Sequence, residues 1–309
     1  MGMFALMLII AHLIADYPLQ TKDMKKSWKG LLIHTFIHMG VGFIPAIIYL
    51  YTGQSKGMFP KVIVCLLIIN LLHCIIDYCK EKLNSIVNTK LKVYSGSIVC
   101  AFIYIFDQVM HCVIIIMTIQ FLFEENFNCC EKVISIVSLE KGFELNTSTQ
   151  ILLTLIIVLL NIFFVGYLIG ILLKPFKADN LVTETVMEVL FKSVDNGSSN
   201  YQDFYGLNVE DMLNNETTDL KDITAQKKIT FIKDSPAKAG MWIGILERNI
   251  ILILCLINSI ASIGFLIAMK ALTRFKQFED KSFAEYYLIG SMLSIVFAML
   301  SGYFIRSIW

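Results

Sequence analysis

Seven apolar runs, at approximately residues 3–20, 30–50, 61–79, 97–123, 151–173, 248–269 and 285–305, occupy most of this chain. Each is long enough to cross or nearly cross about 30 Å of hydrocarbon as a helix rising roughly 1.5 Å per residue. The expected fold is therefore all-α: a polytopic membrane protein with about seven transmembrane helices. The balance of 56% hydrophobic and 17% charged residues over 309 positions lies outside the range of soluble domains. With only five prolines, long helices meet few interruptions. A net charge of +1 argues neither for nor against nucleic acid, but the sequence has no basic patch with interleaved aromatics, so no nucleic-acid partner is expected. The first run has neither a basic segment before it nor an A-x-A-like cleavage site, so a removed signal peptide is not expected.

Between the fifth and sixth runs lies a polar insert, Lys174 to Gly240, with 8 Lys against 11 Asp and Glu. Within it TETVMEVLFKSV has the pattern of one amphipathic helix, and the remainder reads as loosely structured. Lysines close to the spans set their orientation. The loop QTKDMKKSWKG carries four Lys and one Asp, and KEKLNSIVNTKLK four Lys and one Glu. The fourth loop is acidic, with Glu124, Glu125, Glu131, Glu140 and Glu144 against Lys132 and Lys141. Loops one, three and five are thus expected in the cytoplasm and the N-terminus outside, in the cytoplasmic (plasma) membrane. The sixth loop, with Lys270, Arg274, Lys276 and Lys281, fits this poorly. The expected organisation is a four-helix His/Asp core (1–123), an extracytoplasmic loop (124–150), a fifth membrane helix (151–173), the cytoplasmic insert (174–240) and a two-helix membrane region (241–309).

Six of the eight cysteines (Cys65, Cys74, Cys79, Cys100, Cys112, Cys255) lie in or beside apolar runs, where they act as small core residues. Cys129 and Cys130 are adjacent in a polar loop, as two free thiols or a vicinal disulfide. No CxxC knuckle occurs.

The first four runs carry residues that a membrane helix rarely holds. The segment HLIADYPLQ places His12 and Asp16 in the first, and its partial echo HCIIDYCKE places His73 and Asp77 in the third. The second holds His34 and His38, and the fourth Asp107 and His111, so all five histidines of the chain are included. Every pair is spaced i, i+4 and shares one helical face. Ionisable groups at membrane depth cost several kcal/mol unless partnered, which makes each a functional candidate. With alternating helix directions the four pairs also fall at one level, toward the lysine-rich side. A lone intramembrane His/Asp pair is more often a helix–helix hydrogen bond or a proton relay; four pairs at one level argue for a metal site. His12, Asp16, His34, His38, His73, Asp77, Asp107 and His111 exceed the needs of one tetrahedral ion, so the expected cofactor is a binuclear centre of Zn²⁺, Mn²⁺ or Fe²⁺. Asp16, Asp77 and Asp107 are also the candidate catalytic carboxylates, as groups that move protons. Gln20, Asn70, Gln108 and Lys80 stand beside these positions as supporting residues, each with a purely structural alternative. Lys22 and Lys80 suit either a substrate anion or simple anchoring. Glu247 and Arg248, at the start of the sixth run, read as a cap or an ion pair, and Lys270, Arg274, Glu279, Asp280 and Glu285 as an interfacial helix end.

The stretches HLIADYPLQT, HTFIH, HCIIDYCKEKL and DQVMH resemble the bacterial multipass membrane family catalogued as domain of unknown function 3307, and the C-terminal segment from GILERN onward is similar to that family's end region. The resemblance covers the chain apart from the insert, and implies a bacterial inner-membrane protein. It implies no activity. The His/Asp pattern alone is also similar, more distantly, to inner-membrane proteins regarded as metal-dependent hydrolases. The leading functional expectation is an intramembrane metal-dependent hydrolase acting on a lipid or other amphiphile near the cytoplasmic face. A divalent-cation or proton transporter is a second reading, and a non-catalytic membrane partner with a structural metal a third. In the third, the 174–240 insert docks a cytoplasmic protein.

Overall fold

The computed structural model describes residues 2–21, 24, 27–52, 57–123, 145–176, 185–191, 223–229, 239–279 and 281–309. Two compact units result: Met1–Ala178 together with Lys238–Trp309, and Asp179–Ala237. Most of the expected extracytoplasmic loop, the Cys129/Cys130 pair, Lys22, Asp280 and most of the insert lie outside the described residues.

The first unit is all-α. Its helices are α1 (Gly2–Asp16), α2 (Trp28–Tyr51), α3 (Phe59–Lys90), α4 (Val93–Phe123), α5 (Thr147–Leu172), α6 (Ala239–Leu256), α7 (Ile260–Thr273) and α8 (Lys281–Ile308). Among the described residues five of them, α2, α3, α4, α5 and α8, are long and apolar enough to cross a membrane, while α1 and α7 are shorter apolar helices. Local chemistry sets the ends. Helix α1 stops at Asp16, short of the expected residue 20, because Pro18 lacks an amide donor and disfavours helical backbone at Tyr17. Ser27 caps α2, its hydroxyl accepting from the Gly30 amide at 3.1 Å. Pro60 sits in the first turn of α3, where its missing amide is no loss. Helix α3 then continues to Lys90, so most of the lysine-rich stretch expected as a loop is helical.

The expected sixth span, 248–269, is not one helix. Helix α6 begins at Ala239 and ends at Leu256; Asn258 then adopts a left-handed backbone (φ 59°), a conformation asparagine tolerates, and α7 returns alongside. The reversal is fixed by contacts: Lys270 Nζ lies 2.7 Å from Glu247 Oε2 and 3.1 Å from Ser291 Oγ, while Arg306 Nη1 donates to Asn258 Oδ1 at 3.1 Å. One expected crossing is therefore a helical hairpin. Its return brings the basic segment 270–281 to the end of the unit where α6 starts, which is why that segment fitted an outside loop so poorly. At the opposite end, Gln150 Nε2 donates to the Ile308 carbonyl (2.9 Å) and Trp309 Nε1 to Thr154 Oγ1 (3.0 Å), joining the start of α5 to the end of α8.

Helices α1–α4 share a core whose buried positions recur every three or four residues. On α1 they include Phe4, Leu8, His12 and Asp16; on α2, Gly30, His34, His38, Gly42 and Ala46; on α3, Val62, Leu66, Asn70, His73 and Asp77. Helix α4 continues the pattern with Asp107, His111, Ile115 and Ile119. Each stripe is one face of a helix. Apolar residues fill one half, where Phe4 stacks on Tyr49 (4.7 Å) and meets Phe123 edge-on (6.4 Å). The polar residues fill the other half, toward the C-terminal end of α1.

Helix α5 contains a π turn, Leu160–Phe164. Such a turn breaks the regular ladder and frees carbonyls. Arg248 takes two of them, donating from Nε to Asn161 O (2.8 Å) and from Nη2 to Ile162 O (3.0 Å). Small residues admit the guanidinium: a Cβ on Gly166 would lie 2.9 Å from Nη2, and one on Gly244 3.2 Å from Nη1. Glu247 and Arg248 thus sit more than two turns inside α6, not at the start of a span.

In the second unit, Thr185–Phe191 (β1) pairs antiparallel with Ile223–Ile229 (β2), from Thr185 opposite Ile229 to Phe191 opposite Ile223. The expected amphipathic helix over TETVMEVLFKSV is therefore replaced by a strand. Its valines, threonine and phenylalanine favour a pleated backbone once a partner strand is present.

Candidate metal centre

All eight ionisable residues from the first four apolar runs meet in one buried cluster, each at most 9% exposed. The i, i+4 spacing turns each pair inward, and the alternating helix directions bring the pairs to one level. The imidazoles are in mutual contact: ring centroids are 3.9 Å apart for His38 and His73, 4.4 Å for His73 and His111, 4.5 Å for His34 and His38, and 4.7 Å for His12 and His111.

Carboxylate oxygens lie among the ring nitrogens. Asp16 Oδ1 is 3.1 Å from both His34 Nε2 and His38 Nε2. Asp77 Oδ2 is 3.3 Å from His73 Nε2 and 3.4 Å from His34 Nε2. Two ligands held tetrahedrally on one ion by bonds of 2.0–2.1 Å are separated by about 3.4 Å, so these spacings suit donors converging on a shared centre. Two sets have donor atoms all within 4.8 Å of one another: Asp16, His34, His38 and His73, and His73, Asp77 and His111. They overlap at His73. His12 and Asp107 belong to neither set. His12 Nε2 is 3.8 Å from Asp16 Oδ2, and Asp107 Oδ1 is 3.7 Å from His111 Nδ1.

Whether these groups suit a metal follows from what they lack. His12 Nε2, His34 Nδ1, both nitrogens of His73, both nitrogens of His111, Asp77 Oδ2 and Asp107 Oδ1 are buried without a hydrogen-bond partner. Leaving a buried polar atom unpaired costs about 1–3 kcal/mol, so several in one cluster are sustainable only if something else engages their lone pairs. A divalent cation fits: the donors are imidazole and carboxylate with no thiolate, the set preferred by Zn²⁺, Mn²⁺ or Fe²⁺. Of the neighbouring cysteines, Cys74 and Cys112 are free and only partly buried.

The supporting residues divide. Gln20 Nε2 is 3.0 Å from His34 Nε2. Gln108 Nε2 donates to Asp16 Oδ2 (2.8 Å) and Asp107 Oδ2 (3.1 Å), linking α4 to α1. Lys80 Nζ bridges Asp77 Oδ1 (2.7 Å) and Asp107 Oδ2 (3.0 Å). With neutral imidazoles, three carboxylates and this one ammonium leave the cluster formally at −2, which a divalent ion would offset. Asn70 donates to its own helix at Leu66 O (2.8 Å) and borders a cavity of about 30 Å³ that His12, His38, His73 and His111 also line. That volume holds about one water.

Two tyrosines escaped the sequence reading. Tyr17 and Tyr104 hydroxyls are 2.5 Å apart, and Tyr104 donates on to Phe164 O in the π turn at 3.4 Å. Tyr17 follows Asp16 directly, and Tyr104 lies one turn before Asp107. Their positions beside ligand candidates were the available signal.

Residues 4–140 match the family described as protein of unknown function (DUF3307). The matched stretch contains all eight residues of the cluster and ends before α5, so the C-terminal helices lie beyond it. Comparison with curated proteins and with solved structures finds no match.

Proposed function

We propose that this DUF3307 protein is an intramembrane metal-dependent hydrolase of the cytoplasmic membrane, acting on a lipid or other amphiphile close to the cytoplasmic face. One observation carries the reading: two overlapping imidazole–carboxylate sets beside a cavity the size of a water. Asp16, His34 and His38 would hold one ion and Asp77 and His111 a second, with His73 between them. Such ions lower the pKa of bound water toward 7 and polarise the bond to be cut. Asp107 is the carboxylate outside both sets; kept in place by Lys80 and Gln108, its second oxygen faces His111 and is suited to accepting a proton. Lys80, already bridging Asp77 and Asp107, would hold these two carboxylates in position. The end of the unit bearing Lys80, Lys90, Lys92, Lys174 and Lys270 belongs in the cytoplasm by the bias of lysine toward that side, which puts the cluster about one helical turn from the cytoplasmic end of α1.

The enclosure of the cluster favours one second reading, a structural metal that locks α1–α4 while the insert docks a cytoplasmic protein. A transit path for ions gains less support. Glu247, Arg248 and Lys270 of α6 and α7 are engaged with each other and with the π turn, and do not extend the cluster across the bilayer. The test is elemental analysis of protein purified without chelator, joined to turnover of acyl esters, amides and phosphodiesters in mixed micelles. About two equivalents of metal, and a turnover that chelation abolishes, are expected. Asp77→Ala and His111→Ala should lower the metal content without removing the protein from the membrane. Metal with no turnover on the whole panel would transfer the reading to the structural role, and absence of stoichiometric metal would end both.

A further inference from the structure

Much of the wall of the cavity of about 30 Å³ beside the cluster is hydrocarbon, with Leu8, Leu66, Ile69 and Ile115 among its lining residues. His12, His38, His73, His111 and Asn70 supply its polar side chains. Their polar atoms are not equivalent. Both nitrogens of His73, both of His111 and Nε2 of His12 have no accessible surface and no partner. Three atoms are neither sealed in this way nor engaged with a described residue: Asn70 Oδ1, His38 Nδ1 and His12 Nδ1. They come from three different helices, α3, α2 and α1, and their residues share this one cavity.

Asn70 is oriented by its own helix. Its Nδ2 donates at 2.8 Å to the Leu66 carbonyl, four residues back, so exchanging the two ends of the amide would set oxygen against oxygen. Oδ1 is thereby left as an acceptor. His38 is oriented from the other side, with Nε2 3.1 Å from Asp16 Oδ1 and the residue in the donor set of Asp16, His34 and His73. A neutral imidazole that gives Nε2 to a metal carries its proton on Nδ1. Metal-bound histidines almost always donate that second N–H to a carboxylate, a carbonyl or a water. No described residue accepts from His38 Nδ1.

We infer that the cavity holds one fixed water that accepts from His38 Nδ1 and donates to Asn70 Oδ1 and His12 Nδ1, making Asn70 a positioning residue for the metal centre. The inference rests on the metal reading of the cluster. A water needs about 10–15 Å³ and two to four polar partners, and the cavity supplies both. Direction follows from Asn70. Because Oδ1 can only accept, the water turns one O–H toward it and keeps a lone pair for His38. Without that acceptor the water is free to turn an O–H toward His38 Nδ1, which moves the imidazole proton to Nε2 and blocks the ligand atom. The same water joins His12, which belongs to neither donor set, to the centre.

Competition of the full chain in detergent micelles against a chelator, with Zn²⁺ as the ion, tests this. Asn70→Leu keeps the bulk and removes the acceptor, and should weaken zinc binding by about 10–100-fold, the usual effect of losing such a partner. Asn70→Asp keeps an acceptor and should recover most of that loss. A purely structural Asn70 would instead lower the unfolding temperature of metal-free and zinc-loaded protein alike and leave the affinity unchanged. Nitrogen-15 spectra of the histidine-labelled, zinc-loaded parent cover the case in which Asn70→Leu fails to fold: His38 should bind through Nε2 and carry its proton on Nδ1. Unchanged affinity in Asn70→Leu, an Asn70→Asp variant as weak as Asn70→Leu, or His38 bound through Nδ1 would each overturn the inference, while zinc in the parent keeps the metal reading. A parent that binds no zinc or other divalent metal ends both.

Discussion

Replacing Lys80 by methionine keeps most of the stem's volume and removes the ammonium 2.7 and 3.0 Å from Asp77 and Asp107. In metal-free protein this leaves two buried carboxylates without their cation, and breaking a buried pair from one side costs about 3–5 kcal/mol. For a unit of this size, about 4 kcal/mol corresponds to a fall in Tm of about 8–16 °C. With metal bound the sign reverses for affinity. One positive charge fewer beside the ions strengthens their attraction, since unit charges about 4 Å apart interact by about 4 kcal/mol at an effective dielectric of ~20. Metal affinity should therefore rise at least tenfold, and loading should recover most of the lost Tm. Thermal unfolding in micelles with and without Zn²⁺ or Mn²⁺, and competition against a chelator, measure both effects. An equal deficit with and without metal, or a weakened affinity, would show that Asp77 does not face an ion.

Deleting about residues 182–234 should leave metal content unchanged, because that stretch holds no histidine or cysteine; loss of metal from a folded deletion variant would refute the boundary. Arg248→Leu strips the partners from Asn161 O and Ile162 O, and at about 1–3 kcal/mol for each buried orphan should lower the unfolding temperature clearly. A variant as stable as the parent would mean that the π turn closes into an α-turn once the guanidinium is gone. Asn258→Val forces a β-branched residue into a left-handed backbone and should cost about 1–3 kcal/mol, more than Asn258→Gly; the reverse order in thermal unfolding would place the strain elsewhere.

Much of the cluster was legible because the helical period alone decides which residues share a face. His12 with Asp16 and His73 with Asp77 could not be separated by any packing that kept α1 and α3 helical. Rotation of each helix about its axis was not legible. It depends on neighbouring side chains, and it leaves His12 and Asp107 outside the two donor sets. Lys80 looked like a membrane-edge anchor because hydropathy falls at residue 80, yet no proline or glycine follows before residue 91 and the helix simply continues. The α6–α7 reversal was hidden for the opposite reason: Asn258 and Ser259 interrupt an apolar window too briefly to divide it. Strand β1 depends on a partner more than thirty residues away, and a seven-residue pattern such as TVMEVLF suits either period until that partner exists.

The echo between HLIADY and HCIIDY raises the question of whether the two hairpins are one unit used twice. In register, Asp16 corresponds to Asp77, His12 to His73 and His38 to His111, with offsets of 61 and 73 residues. The contacts carry a parallel. Just beyond its aspartate, the segment that follows α1 supplies Gln20, which lies 3.0 Å from the first member of the pair on α2 (His34), and α3 supplies Lys80, which reaches the first member on α4 (Asp107, 3.0 Å). Successive hairpins keep the same orientation, so the relating axis would run along the membrane normal, as in parallel repeats of transporters. An axis through the middle of four helices would place one ion on each side, with each aspartate serving mainly its own. Asp16→Asn and Asp77→Asn should then each retain about one of two equivalents of metal, and the double variant none. His73 breaks the symmetry by joining both donor sets while His12 joins neither, so His73→Ala should lose more metal than His12→Ala. Loss of both ions from one aspartate variant and neither from the other, measured by elemental analysis on folded protein, would refute the repeat and leave a single asymmetric centre.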